Sequence, residues 1–201
     1  MAKRAFDWLL SGLGLLLLAP ALLLIALLVR LDSAGPVFFR QERVGRFGRP
    51  FRIHKFRTMR VDAEALGPQL TVGVDARITR IGHALRHARL DELPQLIDVW
   101  RGDMSLVGPR PEVPRYVAHY PELLRAQVLS VRPGITDPAA LEFIDEAAIL
   151  AGAADPEAAY IARILPIKLA HQAEYAARAT LASDIGVILR TVRVLWGRRG
   201  Q

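Results

Sequence analysis

A long uncharged stretch near the N-terminus constrains this chain more than any other feature. No residue between Trp8 and Val29 carries a charge. As a straight helix this stretch reaches about 33 Å, enough to match a membrane hydrocarbon core about 30 Å thick. The apolar excess of the chain, 52% of whose 201 residues are hydrophobic, is concentrated there. The sequence therefore predicts an N-terminal helix within a membrane.

Three arrangements of this helix can be weighed from the residues. A cleaved secretory signal is disfavoured, because its apolar core normally spans only about 7–15 residues. Pro20 lies mid-stretch and removes a backbone hydrogen bond, which counts against a simple spanning helix. Basic residues flank the stretch on both sides, Lys3 and Arg4 before it and Arg30 after it, so the positive-inside rule gives no orientation. A spanning helix and a re-entrant helix broken at Pro20 both stay open.

The basic charge of the chain is concentrated in one segment. The formal net charge is +7. Residues 40–60 contain eight Lys or Arg and a single acid, Glu42, so this segment accounts for the whole excess. β-prone runs on either side of a stretch rich in Gly and Pro predict a hairpin within residues 31–60. A cationic hairpin indicates a polyanionic partner, which could be nucleic acid, anionic lipid or a phosphorylated ligand.

The remainder of the chain is predicted to be mostly helical. Apolar residues recur at helical spacing over residues 90–100 and again over residues 181–195. The second helix is basic and amphipathic, which suits a membrane surface, although packing on a soluble core is the commoner use of such a stripe. The predicted fold is mostly α with a small β-hairpin. Residues 1–30 form the membrane helix and residues 31–201 one continuous domain.

An acidic pair, Asp91 and Glu92, is the first candidate for chemistry. The chain has no cysteine, which excludes a thiol nucleophile and a Cys-ligated metal. Asp91 could cap a helix whose first turn contains Pro94, the ordinary structural role at such a position. Alternatively, a carboxylate can attack phosphorus as a covalent nucleophile while its neighbour holds a cation. Both interpretations place Asp91 at a helix start, where anions such as phosphate are also favoured.

Two basic motifs could bind phosphate. Arg110 lies between Pro109 and Pro111, which restrict the backbone and fix the direction of a guanidinium suited to bidentate phosphate binding. Lys55 and Arg57 alternate along a β-prone run, so a strand would present both on one face. Each motif also has a structural interpretation, as a rigid surface turn around Arg110 and a solvated edge strand at Lys55 and Arg57.

Together these motifs resemble one family, the bacterial sugar transferases or monotopic phosphoglycosyl transferases. The resemblance covers most of residues 1–136. Each motif is weak singly, and their order and spacing carry the match. The matching segments are Lys3 to Asp7, the apolar run with Pro20, Gly35 to Gln41, Lys55 to Met59, Leu90 to Leu96, Gly102 to Pro111, and Arg132 to Thr136.

The resemblance implies a monotopic membrane protein with a re-entrant helix and amphipathic interfacial helices, on the cytoplasmic face of the bacterial inner membrane. It implies transfer of a sugar-1-phosphate from a UDP-sugar to undecaprenyl phosphate with release of UMP. Such a step initiates assembly of exopolysaccharide, O-antigen or another glycan. The implied partners are the donor, the acceptor and membrane lipid, without nucleic acid. A homodimer stays open, since no pattern in the sequence supports one.

The same resemblance implies roles for individual residues. Asp91 would attack the β-phosphate of the donor and carry the phosphosugar. Glu92 would contact Mg²⁺, the implied cofactor, which neutralises the diphosphate. The residues that match substrate- or phosphate-binding positions of the family are Lys55, Arg57, Arg86, Arg110 and Asp184.

The chain departs from the family pattern directly after Thr136. Many members continue there with glycine, whereas this chain reads Asp137-Pro138-Ala139. Sugar or uridine contacts of that loop are therefore not carried over, and residues 137–180 do not indicate a sugar. The alternative function is a non-catalytic basic protein of the membrane surface that binds anionic lipid or nucleic acid. Such a protein would need no acidic pair among arginines.

Overall fold

Helices make up most of the computed structural model, which describes residues 2–63, 75–137, 150 and 152–197. The helices are α1 Ala2–Asp32, α2 Arg80–His87, α3 Gln95–Arg101, α4 Pro114–Val117, α5 Glu122–Val128, α6 Pro156–Ala159, α7 Leu165–Arg178 and α8 Leu181–Gly197. A π-helical turn, Tyr160–Ile164, joins α6 to α7. The strands are β1 Phe38–Phe39, β2 Glu42–Val44, β3 Pro50–Arg52, β4 Lys55–Phe56, β5 Ser105–Val107 and β6 Gly134–Thr136. The mostly helical fold with small sheets is as predicted.

The first helix, α1, continues through Pro20 and has the properties of a membrane helix. By length and composition it could cross a membrane, with a mean hydropathy of 2.8 over its most apolar window, of which 6% is buried. Many of its leucines are exposed, including Leu9, Leu16, Leu23 and Leu31. The long apolar helix is therefore confirmed and fits a monotopic membrane protein, while its re-entrant course stays a prediction.

Both ends of α1 are bonded to the rest of the protein. Near its start, Lys3 forms an ion pair with Asp184 of α8. Arg4 donates to two carbonyl oxygens at the end of α3, at 2.6 and 2.9 Å. At its other end, a carboxylate oxygen of Asp32 accepts from the backbone N–H of Ile81 in α2 at 3.0 Å. The helix is thus held to the same folded body at both ends.

Small residues let the middle of α1 pack closely on α3. A Cβ added at Gly12 would lie 3.3 Å from Nε1 of Trp100, and one at Gly14 would lie 3.3 Å from Cδ1 of Leu96. Trp8 stacks on Trp100 with ring centroids 6.2 Å apart. Because this face of α1 lies against α3, the exposed leucines line the faces that are left free.

The predicted hairpin is present as two antiparallel ladders in series. β1 pairs with β4, Phe38 lying opposite Phe56, and β2 pairs with β3, Arg43 lying opposite Phe51. The cationic segment divides into two sets of side chains. Arg43, Lys55 and Arg57 are partly or fully buried, whereas the exposed set is Arg40, Arg46, Arg49, Arg52 and Arg60.

A parallel pair of strands, absent from the sequence prediction, forms the base of the site. β5 pairs with β6 in parallel, with Ser105 opposite Gly134 and Val107 opposite Thr136. The two backbones come so close after β5 that a Cβ on Gly134 would lie 2.0 Å from the backbone N of Gly108. Glycine is therefore required there, and the close approach fixes the segment that leads to Arg110.

The last helix, α8, confirms the amphipathic helix predicted over residues 181–195. Asp184 is buried on it, whereas Ile185, Leu189 and Val192 are exposed. An apolar stripe left uncovered by the body differs from one that packs on a soluble core. That α8 lies on a membrane surface stays a prediction, with which this exposed stripe is consistent.

Candidate active site

The acidic pair lies in a tight turn between α2 and α3. Residues Leu90–Glu92 form a 3₁₀ turn, entered through Arg89, which has a positive φ of 53°. Helix α3 begins only at Gln95, with Pro94 before it and no capping side chain. The interpretation of Asp91 as a helix cap is therefore wrong. The reason is that the chain closes a separate turn at Glu92 before the helix starts.

Glu92 brings together cations from two distant parts of the chain. Its Oε1 accepts from Nζ of Lys55 at 2.8 Å and from Nη2 of Arg110 at 2.5 Å. Its Oε2 lies 3.4 Å from Nη1 of Arg110. Hydrogen bonds between charged partners are roughly twice as strong as neutral ones. The structure thus assembles three of the predicted site residues into one cluster.

Asp91 lies beside this cluster, and its environment differs from that of Glu92. Three cations, Lys55, Arg86 and Arg110, are close enough to stabilise its negative charge. In the described parts of the chain its carboxylate accepts no hydrogen bond, and its side chain is half-buried. Asp91 is therefore a carboxylate surrounded by positive charge, with its oxygens left available to a ligand.

Burial and charge set the two carboxyl groups apart. For Glu92, burial alone would raise the pKa, but the adjacent Arg110 and Lys55 outweigh it and hold the pKa well below its usual range. For Asp91, burial dominates and raises the pKa, although Lys55 opposes it. Burial likewise lowers the pKa of Lys55, with Glu92 acting against it. Glu92 therefore stays ionised, while the pKa of Asp91 is raised from its ordinary value.

Arg86 reaches the site from α2. Its Nε donates to Oγ1 of Thr58 at 2.8 Å. Helix α2 lies directly on this part of the chain, since a Cβ on Gly82 would lie 2.1 Å from the carbonyl oxygen of Thr58. The side chain of Thr79 caps the helix by accepting from the backbone N–H of Gly82 at 3.0 Å. These contacts fix Arg86 relative to the strand that carries Lys55.

Two predicted site residues, Arg57 and Asp184, make their contacts away from the acidic pair. The guanidinium of Arg57 donates to the carbonyl oxygens of Ser33, at 2.6 Å, and Ala34 in the loop after α1. The predicted common face of Lys55 and Arg57 is therefore not formed, because β4 ends at Phe56 and the alternation ends with it. Asp184 is buried and accepts from the hydroxyl of Tyr175 at 2.6 Å, in addition to its ion pair with Lys3.

The sequence analysis did not predict a buried pair next to Lys55, formed by His54 and Asp98. Asp98 of α3 accepts from the backbone N–H of His54 at 2.9 Å, and its other oxygen lies 2.5 Å from Nδ1 of the same residue. This pair attaches the strand that carries Lys55 to the helix that follows Glu92. No sequence pattern relates the two residues, which lie 44 positions apart.

A second buried group supports the segment that carries Arg110. Glu112 accepts from the hydroxyl of Tyr160 at 2.5 Å, and Nζ of Lys168 lies 3.7 Å from the same oxygen. Arg43 donates to the carbonyl oxygen of Pro111 at 2.9 Å. The hairpin, the π-helical turn and α7 thus all contact this segment.

The site offers two carboxylates to a metal ion but no cage. In the ranges that the structure describes, no group of three or more His, Cys, Asp or Glu side chains could hold a metal. Mg²⁺ usually takes only one or two protein carboxylates when substrate phosphates complete its shell. One oxygen of Glu92 is already bonded to two cations. Glu92 therefore fits Mg²⁺ through its other oxygen, Oε2, when a diphosphate supplies further ligands.

The family that the ordered motifs resemble is also the family that a comparison with known proteins finds. The chain belongs to the bacterial sugar transferase family, whose model matches residues 1–198. It is 36% identical over 96% of its length to the UDP-N-acetylgalactosamine-undecaprenyl-phosphate N-acetylgalactosaminephosphotransferase of Aeromonas hydrophila, and spans 43% of that protein. It is 39% identical over 96% of its length to the UDP-glucose:undecaprenyl-phosphate glucose-1-phosphate transferase of Caulobacter vibrioides, and spans 68% of that protein.

A third relative carries the same reaction name as the second. It is the UDP-glucose:undecaprenyl-phosphate glucose-1-phosphate transferase of Escherichia coli (strain K12), 46% identical over 68% of this chain. This chain spans only 30% of that protein. The relatives share a named acceptor and differ in the named sugar, so membership of the family does not select a donor.

Proposed function

We propose that this protein transfers a sugar-1-phosphate from a UDP-sugar to undecaprenyl phosphate, with Asp91 as the nucleophile. The observation that carries the proposal is an available carboxylate beside Glu92 and among Lys55, Arg86 and Arg110. The names of the relatives supply the substrate classes. A protein that only bound anionic lipid or nucleic acid would gain nothing from carboxylates among its cations.

The cations are placed to bind the diphosphate of the donor. Arg110 holds Glu92 through one short and one long contact, so the long one, at Nη1, can be exchanged for a phosphate oxygen. Fixed positive groups in a partly buried site stabilise charge that develops on transferring phosphate. Mg²⁺ held by Glu92 would neutralise part of the diphosphate charge.

The chemistry requires two displacements at the same phosphorus atom. A carboxylate oxygen of Asp91 attacks the β-phosphorus of the donor, and the bond from that phosphorus to the bridging oxygen breaks. UMP leaves with the electron pair. A phosphate oxygen of undecaprenyl phosphate then attacks the phosphorus of the aspartyl phosphosugar, and the bond to Asp91 breaks. The carboxylate is regenerated, and the product is a polyprenyl diphosphosugar.

We infer that α1 lies within one leaflet and returns to the face it entered, which would be the cytoplasmic face of the inner membrane. A straight helix of 31 residues would be about 46 Å long, more than a bilayer core. Its first turn is bonded to Asp184 and its last to Ile81, so both ends belong to one body. The exposed leucines of α1 and the apolar stripe of α8 support this arrangement. The lipid-anchored acceptor can then reach a site close to the membrane surface.

The test is release of UMP by the protein purified in nanodiscs, with Mg²⁺, undecaprenyl phosphate and a panel that includes UDP-glucose and UDP-N-acetylgalactosamine. We expect release with at least one donor, dependent on the acceptor and lost in Asp91→Asn. Glu174→Gln, which changes an exposed carboxylate on α7, is the matched control and should retain activity. A folded wild-type protein that releases no UMP from any donor, or an Asp91→Asn variant with normal turnover, would contradict the proposal.

A further inference from the structure

The backbone N–H of Arg110 has an unusual place in the site. Pro109 and Pro111 carry no N–H, so this amide is the single backbone donor between Gly108 and Glu112. It donates to Oδ2 of Asp137 at 2.9 Å. The acceptor is the side chain of the residue that directly follows β6. The following residues, 138–149, lie outside the described part of the chain.

Asp137 is itself held by a buried amide. Its Oδ2 also accepts from Nε2 of Gln172 in α7 at 2.5 Å. Both side chains are 2% exposed. Burial of a carboxylate is costly unless hydrogen bonds satisfy it. The two donors to Oδ2 of Asp137 therefore stabilise this carboxylate in the protein interior.

The contact extends the strand pair that precedes Arg110. Gly108 donates to the carbonyl oxygen of Thr136 at 3.0 Å, and Gly134 donates to that of Pro109 at 2.9 Å. The bond from Arg110 to Asp137 is the next one along the same edge. The carboxylate of Asp137 thus continues the ladder of hydrogen bonds at Arg110, the residue whose guanidinium contacts Glu92.

We propose that Asp137, held by Gln172, is a positioning residue that sets the direction of the Arg110 side chain toward the donor diphosphate. Asp137 fixes the backbone of Arg110 at its N–H, and Arg43 fixes the carbonyl oxygen of the following residue, Pro111. With the backbone held at both points, the Arg110 side chain leaves it in a fixed direction, and its guanidinium meets Glu92. Asp137 therefore helps to orient the arginine that meets Glu92. The role of Arg110 in this inference rests on the proposed function. The contact between Arg110 and Asp137 rests on the geometry alone.

The contact can be tested without any activity. Hydrogen exchange followed by mass spectrometry on a peptide of residues 108–111 reports this bond, because Pro109 and Pro111 have no N–H and the N-terminal amine of Gly108 keeps no label, which leaves the Arg110 amide. We expect Asp137→Ala to speed exchange of this amide by at least about tenfold, the effect of losing a hydrogen bond to a charged group. Asp137→Asn, which keeps an acceptor oxygen, should stay close to the wild type. Unchanged exchange in Asp137→Ala overturns the proposal.

The role in positioning is tested by turnover of the same variants. Asp137→Ala should raise the KM for the UDP-sugar about tenfold with a smaller fall in kcat, and Asp137→Asn should restore most of it. Gln172→Met, an apolar side chain of similar shape, should change KM in the same direction, with Glu174→Gln as the control on the same helix. Faster exchange with an unchanged KM would mean a purely structural contact and overturns the positioning role. If Asp137→Ala speeds exchange but the wild type has no activity, the contact between Asp137 and Arg110 stands and the proposed function is rejected.

Discussion

Lys55 and Arg110 donate to the same oxygen atom of Glu92. Lys55 lies in β4, whereas Arg110 lies in the segment that follows β5. Two cations that converge on one atom would repel each other without the carboxylate between them. Glu92 therefore acts as a template that keeps both cations in place before a diphosphate arrives. Its low pKa follows from the same arrangement.

The first prediction concerns this template. Glu92→Gln keeps a hydrogen-bond acceptor but removes the charge that holds Lys55 and Arg110 together. We expect kcat/KM for the donor to fall by about a hundredfold or more, the range seen when one preorganised electrostatic group is removed. Glu122→Gln, on the exposed start of α5, is the control. Steady-state kinetics of both variants check this, and equal activities would show that Glu92 is dispensable.

The second prediction concerns the covalent intermediate. Incubation of the wild type with donor but no acceptor should add the mass of one phosphosugar to the intact protein, because only the first displacement can proceed. Asp91→Asn should show no added mass, since the amide is not a nucleophile toward phosphorus. Intact-mass spectrometry with peptide mapping locates the adduct. An adduct on any residue other than Asp91 would transfer the nucleophile's role to that residue.

The third prediction is a bell-shaped dependence of kcat/KM on pH. Burial raises the pKa of Asp91, so activity should be lost as pH falls through a value above the ordinary range of aspartic acid, where the nucleophile becomes protonated. Burial lowers the pKa of Lys55, so activity should be lost again as pH rises through a value below that of an ordinary lysine. Lys55→Arg should move the alkaline limb upward, because arginine stays charged. A profile without an alkaline limb in the wild type would exclude Lys55 as a titrating group.

The fourth prediction concerns the close backbone approach at the base of the site. Gly134→Ala places a Cβ 2.0 Å from a backbone nitrogen, so β5 and β6 must separate. We expect a loss of about 1–3 kcal/mol in the free energy of unfolding, typical of an overpacked position. Gly186→Ala in α8, where a Cβ meets nothing within 4 Å, is the matched control and should be neutral or stabilising. Thermal unfolding in nanodiscs measures both, and similar midpoints for the two variants would contradict the packing argument.

The fifth prediction concerns the topology of α1. Tags placed before Ala2 and after the last helix should both be labelled only from the cytoplasmic side if the helix returns to the face it entered. Pro20→Leu restores a backbone donor in mid-helix and should increase the fraction of spanning molecules. Labelling of the N-terminal tag from outside in the wild type would establish a spanning helix.

Local patterns in the sequence predicted much of this molecule. The uncharged stretch gave α1, and the β-prone runs around glycines gave the hairpin, because such signals depend on neighbouring residues alone. The order of the motifs singled out Asp91, Glu92, Lys55 and Arg110. The structure brings Lys55, Glu92 and Arg110 into one hydrogen-bonded cluster and leaves Asp91 beside it.

Long-range pairings account for what the sequence did not predict. The contact of His54 with Asp98 and that of Arg110 with Asp137 join residues far apart in the chain, and no periodicity marks either pair. The parallel strands β5 and β6 are three residues each, too short for an alternation to be recognised. The position of Arg57 was misjudged because a strand assumed to continue ends one residue earlier.

The ion pair of Lys3 with Asp184 has a consequence for the order of events during synthesis. The two residues lie 181 positions apart, so Lys3 cannot form this ion pair until the ribosome has passed Asp184. Helix α1 leaves the ribosome long before α8, so this apolar helix must meet lipid before its contact with α8 exists, or risk aggregation. Insertion of α1 into the bilayer should therefore precede the formation of its contact with α8.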